Sequence, residues 1–513
     1  MCLERSVTKP YSAGFYTLIR RFSSLTTMNS GKKKSKSTRA RSMKRGMIWN
    51  ALNLVVNKGL SVLVRLVLAR LLVPDDFGLI GLIIVFLGLT NVLVDFGFEK
   101  ALVQRRRDAD SPLRYDSAFW FLIAAGAVLS LVFAFAGTRV MVWFYDEPRL
   151  STPSMVMAAS ILLHSLGILP TIRLTRRLRF RNIVLAELVS MVGGATVAIS
   201  FALLGFGVWS LVLQQLTAVA LKTAALWSMC RWRPRWRFSF QALREIASFG
   251  TYSLGNQLIY YARQNSDYMF VGAILGTNAL GIYTLAYTLT ETLRTSAAQI
   301  VVRVMFPVFS QLQDNPNEIA RIFPGFTRTL SLLLFPIALS LIFYAAPLID
   351  MMFPPEWEGA ALPARILGFG GLVYAMSGPS GEALQGMGRI RAFFRLNLIN
   401  YVVVGIPALL VGANYFGLAG VAVAVTITVL TFRVLVLTAL LSITSLTIGA
   451  VLYGLLPAIY ASVVATGWYF ALGDKINFIL SIAVLFLVFG CAALLSGSAR
   501  LPRSRLINKV GVR

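Results

Sequence analysis

Apolar residues run through this chain in stretches of about twenty, the length an α-helix needs to cross a hydrocarbon core, separated by short polar turns. Read this way, the sequence predicts fourteen helices between residues 47 and 496. The first stretch, residues 47–69, is not uniformly apolar. Asn50, Asn53, Asn57 and Ser61 recur along it at helical spacing, with Lys58 and Arg65 beside them, so the polar groups gather on one stripe of the helix. A charge facing lipid is costly, and this stripe must therefore face protein or a water-filled cavity. At Val73-Pro74-Asp75-Asp76-Phe77-Gly78 the chain turns, and a second apolar run begins.

The same pattern returns later at one constant offset. Leu72 to Leu82 reads LVPDDFGLIGL and Leu275 to Leu285 reads LGTNALGIYTL, with Leu72, Gly78 and Leu82 falling on Leu275, Gly281 and Leu285. That offset also places Asn53 on Asn256 and Lys100 on Arg303. Two copies of one six-helix unit explain this. Because six is even, both copies have the same orientation, and they form parallel repeats about an axis along the membrane normal.

The expected fold is thus an all-α polytopic membrane protein, with two six-helix lobes and two added C-terminal helices. Its parts are a basic cytoplasmic tail (1–45), a first lobe (46–230), a linker (231–246), a second lobe (247–444), two further helices (445–497) and a second basic tail (498–513). Mean hydropathy of +0.71 agrees, with 57% hydrophobic and 14% charged residues; soluble domains are far more polar. The net charge of +28 sits in clusters between alternate spans, such as Arg105 to Arg107 and Arg231 to Arg237. This alternation predicts cytoplasmic termini and argues against nucleic acid as partner.

Candidate chemistry lies inside the spans. On the seventh helix Asn256, Tyr260, Arg263 and Asp267 form a stripe, mirroring the polar face of the first. Arg263 and Asp267 are one turn apart, so a local ion pair is the alternative to a cavity lining. The eighth helix adds Tyr283, Tyr287, Glu291 and Arg294; further embedded polar groups include Gln214, Gln215, Lys222 and Arg433. The expected substrate cavity comprises Asn53, Asn57, Lys58, Arg65, Asn256, Tyr260, Arg263 and Arg294, with Asp267 and Glu291 as ion-coupling candidates. An excess of Arg and Lys suits an anionic cargo such as a phosphate-bearing headgroup. No catalytic constellation, metal-ligand spacing or phosphate-binding glycine loop is present, so neither enzymatic activity nor a cofactor is expected.

Several motifs in order carry a family resemblance: LARLLVPDDFGLIGL from Leu68, DFGFEKALVQRR from Asp95 with Ser117-Ala118-Phe119-Trp120 after it, LLGFGVWSLV from Leu203, FGTYSLGNQLIYYARQNSDYMFVGAILGTNALGIYTLAY from Phe249, and RVMFPVFSQLQDNP from Arg303. Over residues 46 to 440 the chain resembles the polysaccharide exporters and oligosaccharide flippases of the multidrug/oligosaccharidyl-lipid/polysaccharide superfamily, in the WzxC-like colanic acid and teichuronic acid exporter branch. The resemblance implies a V-shaped cavity between two lobes and alternating access. It implies transfer of lipid-linked oligosaccharide repeat units, carried on undecaprenyl diphosphate, to the outer leaflet for exopolysaccharide, capsule or lipopolysaccharide synthesis. Implied partners are that substrate, membrane lipids and the polymerase and export machinery, for a monomeric transporter. Alternatives are an ion-coupled exporter of drugs or other small molecules and, behind it, a membrane polymerase or glycosyltransferase, which the short external loops disfavour.

Overall fold

A computed structural model of the chain describes residues 59–98, 102, 112–473 and 477–497. Within them lie fourteen helices: α1 (59–71), α2 (Pro74–Asp95), α3 (Pro112–Tyr145), α4 (Pro148–Arg176), α5 (Phe180–Leu203), α6 (Val208–Met229), α7 (240–275), α8 (277–311), α9 (Pro316–Met352), α10 (Ala361–Gly386), α11 (390–416), α12 (418–443), α13 (Ile448–Leu472) and α14 (Phe478–Gly497). Among the described residues, ten helical stretches are long and apolar enough to cross a membrane. Two of these ten each contain a reversal at a glycine: Gly276 (φ 84°) divides α7 from α8, and Gly417 (φ 59°) divides α11 from α12. Both glycines hold left-handed backbone that an L side chain rarely adopts.

Local signals set the other boundaries. Pro74 opens α2 with Asp75 and Asp76 in its first turn, where proline lacks no needed N–H and acidic groups meet the positive end of the helix. Ser239, Asn315 and Thr447 cap α7, α9 and α13 by accepting from the backbone N–H of Ala242, Glu318 and Ala450, which satisfies donors that the first turn leaves open. Several helices are longer than one span requires. α3 has 34 residues and α9 has 37, the latter about 55 Å of rise against about 30 Å of hydrocarbon. In α9 the capped segment PNEIARIF continues the helix beyond the apolar run.

α1 to α6 and α7 to α12 form the two lobes, while α13 and α14 pair with each other and lie against α9. The turns after α1, α3, α5, α7, α9 and α11 share one end of the bundle, here the Pro74 end; the opposite end carries the 230–239 linker. That linker is extended and strapped across the first lobe. Trp120 Nε1 donates to the Arg235 carbonyl at 2.9 Å, the Ser239 N–H donates to Ser117 Oγ at 2.9 Å, and Trp120 stacks on Trp236 at 3.9 Å. Trp232 packs edge-on against Phe119 and lies under Arg173.

One hydrophobic core joins both lobes, from Leu68, Leu82 and Ile83 to Leu280, Tyr283 and Trp357. A second, built from α8, α9, α10 and α12 to α14, contains no residue of the first lobe.

Candidate functional site

The lobes meet along α2, which packs against α7 and α8. At the Pro74 end the approach is backbone to backbone. A Cβ placed on Gly78 would lie 1.8 Å from the Thr277 carbonyl oxygen, and one on Gly281 would lie 1.8 Å from that of Pro74. Gly78 and Gly281 are the repeat-equivalent glycines, and Pro74 and Thr277 occupy the same equivalent places. The contact is therefore reciprocal, as about a two-fold axis.

Around it, Thr277 donates to Asp75, and Arg149 pairs with Asp75 and with Glu147. Arg70 donates to the carbonyls of Met352 (2.9 Å) and Met351 (3.3 Å), and the buried Trp357 indole donates to the Ala69 carbonyl at 2.9 Å with its ring edge-on to Phe77. This end is shut.

Below it lies a cavity of about 730 Å³ between the lobes, lined by Ser61, Arg65, Ser190, Gln214, Gln215, Asn265, Thr284 and Thr288. Arg65 reaches across the lobe boundary and donates to Thr288 Oγ1 at 2.6 Å. A second cavity, of about 340 Å³, lies within the second lobe, among α7, α8, α10, α11 and α12. Its lining includes Tyr260, Arg263, Asp267, Glu291 and Arg294, so five of the predicted residues do converge. They converge without Arg65. Where the sequence pattern placed the basic face of the first helix and that of the seventh around one cavity, the structure separates them, because Arg65 faces α8 near Thr288 while Arg263 and Arg294 turn into their own lobe.

Asn53, Asn57 and Lys58 lie outside the described residues; Asn256 falls on α7. The local ion pair open to Arg263 and Asp267 is not formed. Asp267, 6% exposed, accepts from Tyr283 at 2.7 Å across the Gly276 reversal, and its Oδ1 has no hydrogen-bond partner. Arg263 donates to Gln264 at 2.8 Å and lies over the Tyr260 ring. Glu291 does pair with Arg294, at 2.9 Å from its Nε.

Other contributors come from helices without a polar stripe. Tyr374 on α10 and Tyr401 on α11 line the second cavity with Phe432 and Arg433 of α12. Tyr401 opens a π-helical stretch, Tyr401–Gly405, of a kind that recurs at functional sites. The guanidiniums of Arg294 and Arg433 both sit over the Tyr374 ring, 4.5 and 4.2 Å from its centroid. A lone tyrosine or arginine in an apolar run carries no periodic signal, so Arg433 was visible only as an embedded charge.

Residues 67–362 match the family model for polysaccharide biosynthesis proteins. The chain belongs to this family. Among curated relatives it is 27% identical to the teichuronic acid biosynthesis protein TuaB of Bacillus subtilis, over 58% of this chain and 62% of TuaB. It is 24% identical to the lipopolysaccharide biosynthesis protein WzxC of Escherichia coli, over 73% of this chain and 76% of WzxC. With the succinoglycan biosynthesis transport protein ExoT of Rhizobium meliloti it shares 25% identity, over 63% and 64% of the two chains. The chain thus spans somewhat under two thirds of TuaB and ExoT.

Among solved structures, the lipid II flippase MurJ in an inward closed conformation superposes with a TM-score of 0.70 at 12% identity, over 88% of this chain and 100% of MurJ. A multidrug resistance transporter of the multidrug and toxic compound extrusion family scores 0.62 at 14% identity when inward-facing, over 78% and 98% of the two chains. An outward-facing structure of that family scores 0.51 at 15% identity, over 78% and 96%. The family member described here therefore has the two-lobe fold of that superfamily.

Proposed function

We propose that this chain is a flippase that carries lipid-linked oligosaccharide repeat units across a bacterial inner membrane by alternating access, from the cytoplasmic to the outer leaflet. In this reading the Pro74 end is external and closed, and the inter-lobe cavity receives the headgroup from the cytoplasmic side. The observation that carries the proposal is the pairing of a shut end with a polar inter-lobe cavity holding Arg65. Names of the relatives support it, since biosynthetic or transport roles in teichuronic acid, lipopolysaccharide and succinoglycan are attached to them. So does the better superposition on inward than on outward structures.

Arg65 suits a phosphate because a guanidinium offers paired donors in a low dielectric. Lys58, Asn57 and Asn53, outside the described residues, precede it in the sequence at helical spacing. The diphosphate would cross there while the polyprenyl tail stays in lipid between the lobes. The alternation of basic loops supports cytoplasmic termini in this reading. Asp267, whose Oδ1 is buried and unmet, is the coupling group in this reading; Glu291 is already committed to Arg294. Asp267→Asn is expected to keep its membrane level but lose any dependence of transport on proton or sodium gradients, and a variant that retains that dependence removes the assignment.

The direct test is deletion of the gene in its host, with mass spectrometry of polyprenyl-linked intermediates. Accumulation of one undecaprenyl-diphosphate oligosaccharide and loss of a surface polymer is the expected result. Unchanged intermediates and polymer, with restored drug sensitivity instead, would replace this reading by the small-molecule exporter.

A further inference from the structure

The linker between the lobes is fastened to the protein by its backbone and leaves most of its side chains outside. Besides the bonds from Trp120 to the Arg235 carbonyl and from the Ser239 N–H to Ser117, the Arg235 N–H donates to Asp116 at 3.3 Å. Arg233 is used locally. Its guanidinium donates to the carbonyls of Cys230 (2.9 Å), Trp232 (3.1 Å) and Trp227 (3.3 Å), at the C-terminal end of α6, where a cation is favoured. Arg231, Arg235 and Arg237 are exposed, and among the described residues their side chains make no hydrogen bond or ion pair. Asp116 is buried and accepts from backbone rather than from a guanidinium.

Between these charges lie rings that the fold does not bury. Trp236 is 87% exposed although one face stacks on Trp120, Phe240 is 72% exposed and Phe238 56%. The neighbouring α4–α5 turn, joined to the linker where Arg173 lies over Trp232, adds the exposed Leu178 between exposed Arg177 and Arg179. Large apolar groups grouped on a surface and rimmed by charge mark a face that something covers. The linker runs from Cys230 to Ser239 between two membrane spans, and its bonds to α3 hold it at the level where those spans end. At that level its neighbour is the headgroup layer, which accepts aromatic rings and, where anionic, attracts arginine.

We infer that the linker and the α4–α5 turn form a docking surface for anionic phospholipid headgroups of the leaflet at this end. Arg231, Arg235 and Arg237 take the phosphates, and Trp236, Phe238 and Phe240 enter the interface beside them. An acidic protein would answer the charges but would have to displace lipid from the rings. Ser239 both caps α7 and donates to Ser117 of α3, so lipid held here fixes the junction of the two lobes to the plane of the leaflet. The surface lies outside both cavities, and its role does not depend on the cargo.

Native mass spectrometry of the purified protein, titrated in detergent with phosphatidylglycerol or phosphatidylcholine, tests the assignment. The first phosphatidylglycerol is expected to bind about tenfold more tightly or better, the scale of several surface cations acting together. Arg231→Gln, Arg235→Gln and Arg237→Gln combined should lose at least about fivefold of that preference, while Arg231→Lys, Arg235→Lys and Arg237→Lys combined should keep it, since the leaflet's field acts on charge. A spin label at Phe238→Cys, with Cys2, Cys230 and Cys491 replaced by serine, locates the surface in nanodiscs that contain phosphatidylglycerol. It should collide more readily with oxygen than with a water-soluble nickel chelate. Equal binding of the two lipids overturns the inference, as does a preference that survives the glutamine variant. A label at 238 as open to the chelate as one on the exposed Val73 would leave the face in water, available to a soluble partner, and overturns it too.

Discussion

The two ends of the lobe boundary are built differently. At the Pro74 end the lobes touch through backbone, with Gly78 against Thr277 and Gly281 against Pro74, and one hydrophobic core runs through both. Towards the linker end the core of the second lobe is its own, and the boundary opens into the cavity that holds Arg65. Contacts between backbones have no flexible side chain to yield, so such a joint is either made or broken. Side-chain contacts around a cavity can adjust by degrees. The Pro74 end is therefore the rigid part of the boundary, and on the flippase reading cargo recognition falls to the softer walls below it.

Gly78→Val is the strongest way to break this difference. Its Cβ has no room beside the Thr277 carbonyl, and overpacking costs about 1–3 kcal/mol or more when backbone must move, enough to lower the population of the shut state roughly tenfold or beyond. Gly281→Val should do the same through Pro74, since the two contacts are equivalent. Spin labels at Val73→Cys and Leu362→Cys, exposed positions on opposite lobes, with Cys2, Cys230 and Cys491 replaced by serine, would report it. A short distance in the parent should lengthen in either glycine variant, and, on the flippase reading, polymer export should fall to a few per cent at normal membrane level. Unchanged distances in both would mean that the glycines do not control closure.

Much of this architecture was legible in the sequence, for physical reasons that also mark where legibility stopped. Hydropathy marks spans because lipid tolerates little else, and the match of Leu72, Gly78 and Leu82 to Leu275, Gly281 and Leu285 exposes the repeat. The offset states equivalence, though, and says nothing of distance. That equivalent residues touch each other is a tertiary fact.

For the same reason the polar faces of the first and seventh helices resemble each other yet serve different cavities. Glu291 and Arg294, three residues apart on one helix, pair locally, as such spacing allows. Helical spacing could not anticipate that Asp267 is met by Tyr283 from beyond Gly276, or that Arg433 and Tyr374 come together from α12 and α10.

The smallest expected effect sharpens the same comparison by removing charge rather than volume from the shut end. Arg149 is largely exposed and joins Asp75 to Glu147, and its hydrogen bond holds the Glu147 carboxyl below the usual carboxylate range. A carboxyl with a depressed folded value contributes fully above its ordinary value of about 4.3 and loses that contribution as the pH falls through the depressed value. The distance between labels at positions 73 and 362 should therefore hold from pH 7 to about 5 and lengthen only in stronger acid. Exposed pairs contribute at most about 1 kcal/mol, so Glu147→Gln should shift the shut population less than about fivefold, with no acid-dependent step left from this group. A parent that opens between pH 7 and 5 would place control of the shut end with another group. If Glu147→Gln opens it as fully as Gly78→Val, the charge cluster rather than the glycine crossing holds the lobes together.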